Sequence, residues 1–293
     1  IIYPNEPVIT IVAPLIDAQI VETAVLTMMN HQSLIATKAN RIVRAADGRV
    51  VADFGARRAH NVDAAVYGAR AAYIGGVGST ATVLAGQQFG IPVSGTMAHS
   101  WVMYYGSEYD AFKAYAEVYP DNAVFLVDTY DVLNSGVPNA IQVAKDVLEP
   151  MGKRLKGIRL DSGDLAYLAK KARRMLDDAG LEDCKIMASN SLDEYTIKSL
   201  LLQGGPIDIF GVGERLITSK SDPVFGAVYK IASIEKDGKW EPRIKISEAG
   251  EKITNPGLKK VYRVYNEKGR SIADLMTLLR EVPDTEEPYR YIN

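Results

Sequence analysis

Five polar or glycine-rich clusters recur about one βα unit apart along the middle of the chain. They are Gly95-Thr96-Met97-Ala98-His99, Asp128-Thr129-Tyr130-Asp131, Arg159-Leu160-Asp161-Ser162-Gly163-Asp164, Ser189-Asn190-Ser191 and Gly211-Val212-Gly213. Arg159 and Asp161 alternate out of an apolar run, so both point to one face of a strand. Such a pair on a face that should be apolar is costly unless it binds a ligand or pairs internally. Read as a site, Arg159 offers its planar fork to a carboxylate or phosphate, and Asp161 accepts hydrogen bonds from a sugar or ring. Read as structure, the two form an ion pair. His99 shares the expected barrel mouth with Asp128, Asp131 and Asp161, which leaves acid–base catalysis, metal ligation and nucleophilic attack on a phosphoryl donor open. Gly211-Val212-Gly213 marks either a tight turn or a close backbone approach to an anion. Its place on a late strand favours phosphate. Arg57-Arg58 after a strand suits a pyrophosphate or makes a solvated basic turn. Gly78-Ser79-Thr80-Ala81-Thr82 supplies hydroxyls to a phosphate or simply starts a helix. Asn190 is the least defined of these residues. His31 reads as a structural mid-helix residue, and His60 as an anion-site, capping or surface residue.

The elements that must carry these residues are legible as a rhythm. Arg49–Phe54, Val124–Val127, Leu155–Leu160, Ile186–Ala188 and Ile207–Phe210 are short apolar runs of the kind found in parallel strands buried on both faces. Ile91–Gly95 reads as a further strand, ending at His99. Helical spacing covers residues 16–46, 61–74, 107–119, 138–150, 164–179 and 192–203. Ser191 and Glu194 form a Ser-x-x-Glu capping box for the last of these. The rhythm stops near Val228. Tyr229–Ile234 with Trp240–Ile246 around Asp237-Gly238, and Lys260–Tyr265 with Ser271–Leu275 around Glu267-Lys268-Gly269, read as two hairpins. Residues 1–12 read as extended, with Pro4 and Pro7 excluding helix. The expected organisation is an N-terminal strand and helices over 1–47, an α/β barrel carrying the site over 48–226, and antiparallel hairpins of a smaller portion over 227–293.

Composition narrows the function classes. The chain has 293 residues, 47% hydrophobic and 24% charged, with a formal net charge of −2. Both signs are interspersed, so there is no electrostatic case for nucleic acid or an anionic membrane as the main partner. Apolar stretches are broken well before the roughly 20 residues of a membrane span, and no secretory pattern is present. The single Cys184, which reads as a buried strand residue, cannot form an internal disulfide and suits a reducing cytoplasm. A Schiff-base barrel aldolase would want a Lys at a strand end, whereas Lys156 and Lys185 sit near strand starts.

Taken in order, the clusters resemble the nicotinate phosphoribosyltransferase family. Phe54-Gly55-x-Arg57-Arg58-Ala59-His60, Gly95-Thr96-x-Ala98-His99-Ser100, Val127-Asp128-Thr129-Tyr130, Gly157-x-Arg159-Leu160-Asp161-Ser162-Gly163-Asp164-Leu165, Ser189-Asn190 and Phe210-Gly211-x-Gly213 carry the match, which covers nearly the whole chain. The resemblance implies an irregular, partly open α/β barrel of the type II phosphoribosyltransferase kind beside a smaller, mainly β portion. It implies transfer of phosphoribose from 5-phosphoribosyl 1-pyrophosphate to nicotinate, coupled to ATP through a phosphohistidine, with Mg²⁺ on the pyrophosphate and a homodimer as the working form. The phosphohistidine would be His99. Thr96 and Arg159 would hold nicotinate, Arg57, Asp128 and Asp161 would line the ribose–pyrophosphate site, and Gly211 and Gly213 would hold the 5′-phosphate. Nicotinamide or quinolinate as the substrate, a phosphate-binding lyase or isomerase, and an inactive piece of the nicotinate enzyme are the alternatives. Glu214 departs from the Thr that some members carry after Gly213, and is expected to point away from phosphate. The chain opens on Ile1 rather than Met, and a preceding segment, including an aromatic residue that stacks on nicotinate, is expected from the resemblance.

Overall fold

The computed structural model describes residues 2–246, 248, 253–284 and 286. The chain divides into two compact units, Thr27–Gly226 and a second that joins Ile1–Leu26 to Ala227–Asn293. Among the described residues no helix is long and apolar enough to cross a membrane.

The larger unit is built on six parallel strands: β1 (Val50–Asp53), β2 (Ser79–Thr80), β3 (Val124–Leu126), β4 (Gly157–Leu160), β5 (Lys185–Ser189) and β6 (Ile209–Val212). Their order is β2-β1-β6-β5-β4-β3, and the sheet curls into half a barrel that stays open between β2 and β3. Phe125, Ile158, Leu160, Ile186, Ala188 and Phe210 are fully buried, as expected for parallel strands covered by helices. The register aligns the strand ends: Asp53 lies beside Val212, Gly211 beside Ser189, and Leu160 beside Ala188. Parallel strands in register bring their C-terminal loops to one rim, which is where side chains from distant clusters can meet.

The helices of this unit are α2 (Glu22–Ala45) from Thr27 onward, α3 (Val62–Ile74), α4 (Val83–Phe89), α5 (His99–Tyr105), α6 (Glu108–Val118), α7 (Val137–Val143), α8 (Leu165–Asp178), α9 (Glu194–Leu202) and α10 (Glu214–Ile217). α8 shows why they pack. Leu165, Ala166, Ala169, Ala172 and Leu176 form a buried stripe at helical spacing, and the helix lies on β4 and β5. The Phe112 ring of α6 stacks on Phe125 of β3, with centroids 4.8 Å apart. Two π turns, Val132–Gly136 and Ala144–Leu148, flank α7. Gly136 presses on the carbonyl of Val127, and a Cβ there would stand 1.9 Å from that oxygen.

Several expected details differ. The helical pattern over 16–46 is two helices, α1 (Leu15–Ile20) and α2, interrupted at Val21. The run Ile91–Gly95 forms only a single bridge, Val93 to Thr80, and His99 begins α5 instead of ending a strand. The expected Ser191–Glu194 box is not formed. Asp193 caps α9, its carboxylate accepting the Thr196 N–H while the Thr196 hydroxyl accepts the Asp193 N–H. Ser191 sits at φ 51°, in the left-handed region, and Glu194 turns inward to pair with buried Lys38 at 2.7 Å.

In the smaller unit, β7 (Ser233–Lys236) and β8 (Lys239–Pro242) make one hairpin, and β9 (Lys259–Tyr265) and β10 (Ser271–Leu278) another. Asp237 and Gly238 both have positive φ, as a two-residue turn of the primed kind requires. Arg263 and Asp274 pair across β9 and β10 at 2.7 Å. Residues 2–13 contain no strand. The start of the extended stretch, at residue 1, and the end of the 227–293 portion, at 285 and 287–293, lie outside the described residues.

The Gly136 contact predicts a large effect from a small change. Gly136→Ala should lower unfolding free energy toward or beyond the upper end of the ~1–3 kcal/mol typical of overpacking, measured by urea denaturation. A loss too small to resolve would contradict the close approach.

Candidate active site

Arg159 is the centre of the rim. Its Nε donates to Ser189 Oγ at 2.8 Å, Nη1 to Thr96 Oγ1 at 2.9 Å and Nη2 to Asp161 Oδ1 at 2.9 Å. The Ser189 hydroxyl in turn donates to Asp161 Oδ1. The guanidinium lies 5.3 Å from the centroid of the Phe54 ring, a cation–π arrangement. Phe54 fits there because position 211 is glycine: a Cβ on Gly211 would meet the ring at 2.6 Å. A guanidinium carries five N–H donors. Three are occupied here by Ser189, Thr96 and Asp161, which leaves two without a partner among the described residues.

His99 starts α5. Its Nδ1 is 3.1 Å from Thr129 Oγ1, while Nε2 is 3.7 Å from Asp161 Oδ2 and 3.9 Å from Asp128 Oδ1. These last two separations exceed hydrogen-bond length. Nε2 therefore faces two carboxylates without being tied to either. Asp128 Oδ2 accepts the Asp161 N–H at 3.1 Å and the Ser162 hydroxyl at 2.5 Å. Asp128 Oδ1 is buried with no hydrogen-bond partner among the described residues. Thr96, His99, Asp128, Thr129, Arg159, Asp161 and Ser189 thus converge, and they come from four of the five clusters.

The remaining site candidates stand outside this group. Arg57 lies exposed in the 3-10 turn Ala56–Arg58 and makes no ion pair among the described residues. Gly213 caps α10 beside the carbonyl of Phe54, where a Cβ would come within 3.1 Å. Asn190 is exposed at φ 82°, a strained conformation for a residue with a side chain, and its Oδ1 accepts the Ser191 hydroxyl. Asp131 is exposed. It caps the π turn, accepting the N–H groups of Leu133 and Asn134, and those bonds, Asn134 first, hold its carboxyl below the usual range. Glu214 is held by Lys220 at 2.8 Å, with Arg58 at 3.9 Å, and the Lys220 bond lowers its pKa. Burial, with His60 nearby, pushes the His31 imidazole pKa down. Cys184 is buried and its thiol pushed up to about 12, which makes it inert.

Three contributors escaped the sequence reading as site residues: Phe54, Ser189 and Asp53. The first two were visible only as members of motifs. Asp53 ends β1, is buried, and accepts the Gly55 N–H at 2.8 Å and the Thr80 hydroxyl at 2.8 Å. It fixes the turn that carries Phe54 and Arg57. An Asp ending an otherwise apolar strand is the signal that could have found it.

Residues 50–267 match the model of the nicotinate phosphoribosyltransferase (NAPRTase) family, and residues 258–293 that of the nicotinate phosphoribosyltransferase C-terminal domain. The chain belongs to the nicotinate phosphoribosyltransferase family. It is 53% identical to nicotinate phosphoribosyltransferase of Bacillus subtilis strain 168, over 99% of this chain and 59% of that protein. It is 47% identical to nicotinate phosphoribosyltransferase pncB2 of Mycobacterium tuberculosis, over 90% of this chain and 55% of that protein. Among solved structures, human nicotinic acid phosphoribosyltransferase superposes with a TM-score of 0.76 at 28% identity, covering 92% of this chain and 61% of that one. The nicotinate-nucleotide pyrophosphorylase of Pyrococcus furiosus superposes with a TM-score of 0.69 at 31% identity, covering 89% and 62%. The chain therefore spans less than two thirds of the length of these relatives. The half-barrel is that of the type II phosphoribosyltransferases.

Burial raises the pKa of Asp53, and its bonds from Thr80 and Gly55 only partly oppose the rise. A carboxyl with a raised folded pKa contributes stability that is full below the ordinary Asp value and is lost as pH climbs through the folded value. Compared with Asp53→Asn by urea unfolding, the wild-type chain should therefore lose relative stability as pH rises from about 4 toward neutrality. A difference that is flat or grows over that window would contradict the buried setting.

Proposed function

We propose that this chain joins nicotinate to 5-phosphoribosyl 1-pyrophosphate, forming nicotinate mononucleotide and pyrophosphate with ATP hydrolysis. The observation that supports this best is Arg159, whose guanidinium is held at the strand ends by Ser189, Thr96 and Asp161 against the Phe54 ring, with two of its five donors unused among the described residues. Arg159 binds the nicotinate carboxylate, and Thr96 fixes the orientation of the guanidinium. The pyridine nitrogen, itself the nucleophile, forms a bond to the anomeric carbon as the bond to pyrophosphate oxygen breaks, so no strong base is needed. Positive charge builds on the ribose ring in the transition state, and Asp128 and Asp161 stabilise it. Arg57 takes charge from the leaving pyrophosphate. Gly211 and Gly213 line the 5′-phosphate loop, and Asn190 adjoins the ribose or its phosphate.

His99 couples ATP to the transfer. Its Nε2 attacks the γ-phosphorus, the bond to ADP breaks, and the N–P bond is later cleaved by water. The free Nε2 beside two carboxylates fits this role. Among the described residues no group of three or more His, Cys, Asp or Glu is placed to cage a metal. Mg²⁺ arriving on pyrophosphate would need only one or two carboxylates from the protein. Asp128 Oδ1 and Asp161 Oδ2, both without hydrogen bonds among the described residues, are the oxygens suited to it. When bound, the ion neutralises charge on the leaving group. A homodimer working in the cytoplasm completes the reading, and the lone buried Cys184 accords with a reducing compartment.

The reading is tested by incubating the chain with nicotinate, 5-phosphoribosyl 1-pyrophosphate, Mg²⁺ and ATP, beside the Bacillus subtilis relative as control. Nicotinate mononucleotide and pyrophosphate should appear together. A folded chain that forms neither while the control is active would overturn the proposal. His99→Ala should abolish labelling by [γ-³²P]ATP and leave a slow ATP-independent transfer. Labelling that survives in that variant would remove His99 from the mechanism.

A further inference from the structure

One buried acid near the rim has no place in the chemistry above. Glu108 is the first residue of α6, nine residues after His99, and is 2% exposed. It is not needed to cap its helix. Ser107 does that, with its hydroxyl oxygen accepting the Asp110 N–H at 3.1 Å. Glu108 turns inward instead. Its Oε2 accepts the Ser135 hydroxyl, and Oε1 is buried without a hydrogen-bond partner among the described residues. Burial raises its pKa, Asp131 and Asp128 add to the rise, and the Ser135 bond opposes it. A carboxyl in this setting is costly, and an apolar side chain of similar volume would avoid the cost.

Its partner explains the placement. Ser135 lies in the π turn Val132–Gly136, the return limb of the loop that begins at Asp128. That loop is closed at its base by Gly136 against Val127 and at its tip by the Asp131 cap. Asn139 Nδ2 donates to the Ser135 carbonyl at 3.0 Å, which holds the limb from the other side. On the opposite flank, Trp101 Nε1 donates to the Ala111 carbonyl at 2.9 Å and locks α5 to α6. His99 begins α5 and Glu108 begins α6, so these two residues belong to one clamped pair of helices. Asp128 and Thr129 belong to the loop. The Thr129 hydroxyl and His99 Nδ1 join the two parts at one point. Glu108 and Ser135 join them at a second, buried point.

We propose that Glu108 is a positioning residue which, through Ser135, sets the spacing between the His99 imidazole and the Asp128-Thr129 loop. Its consequence for phosphoryl transfer rests on the reading of His99 given under Proposed function; its consequence for the imidazole does not. The test uses Glu108→Gln, Glu108→Leu and Ser135→Ala in the 293-residue chain. The chain has three histidines, so ring resonances in a long-range ¹H–¹⁵N spectrum are assignable with His99→Ala. Glu108→Leu and Ser135→Ala should shift or split the His99 ring signals and leave those of His31 and His60 in place. Glu108→Gln, which keeps an acceptor for Ser135, should restore the wild-type His99 signals. In turnover, Glu108→Leu should lower ATP-coupled kcat about tenfold or more with KM for nicotinate within about twofold, as a misplaced reacting group does. Wild-type His99 signals in both disrupting variants would overturn the proposal, as would a Gln variant that behaves like Leu. If Glu108→Leu fails to fold, Ser135→Ala, which removes only a hydroxyl, decides the question. Absence of phosphoryl labelling in the wild type would sink the phosphohistidine reading while leaving the spectroscopic test of Glu108 intact.

Discussion

A guanidinium set into the rim of a parallel sheet governs the larger unit of this chain. Arg159 belongs to a strand whose neighbours Ile158 and Leu160 are fully buried, so its charge must be met on the spot. Each element of its setting comes from a different part of the sequence. Ser189 ends β5, Thr96 precedes α5, Asp161 follows β4, and Phe54 follows β1. Gly211 of β6 is the space that admits Phe54. Aligned strand ends are what make this convergence possible, and the requirement for convergence explains why the polar clusters recur at βα spacing. With three donors satisfied by the protein, the guanidinium is held in one orientation and two N–H groups are left for a planar anion.

The second feature of the rim is a gap. His99 Nε2 stands just beyond hydrogen-bond distance from both Asp128 and Asp161. Nδ1 is engaged by Thr129, which fixes the ring and leaves Nε2 open. The carboxylates are themselves restrained by Ser162, Ser189 and the Asp161 N–H. Such pre-organisation leaves little rearrangement for the moment of reaction. The acid behind the loop, Glu108, extends the same logic one layer deeper, because the gap is only as reproducible as the spacing between the helix pair and the loop.

Much of this was legible in the residues. The apolar runs located β1, β3, β4, β5 and β6, and the alternation Arg159–Leu160–Asp161 correctly placed Arg and Asp on one face. What periodicity cannot carry is the competition among nearby partners. Ser191 and Glu194 have the spacing of a capping box, yet Asp193 wins the cap because Glu194 is drawn to Lys38. Asp131 looked like a member of the mouth because it follows Asp128 by three residues, but the N–H groups of the π turn claim it. β2 has two residues and no pattern of its own; it exists through pairing with β1. The Phe54–Gly211 contact links residues more than 150 positions apart, and no local signal encodes it.

The proposed role of Arg159 is to read a carboxylate on a flat aromatic ring. The most direct measurement is kcat/KM of the wild-type chain for nicotinate against nicotinamide, which differ only in that group, under identical Mg²⁺, ATP and 5-phosphoribosyl 1-pyrophosphate. A preference for nicotinate of about a hundredfold or more is predicted, since the amide leaves the charged fork unpaired. Equal use of the two pyridines, or a preference for nicotinamide, would contradict it.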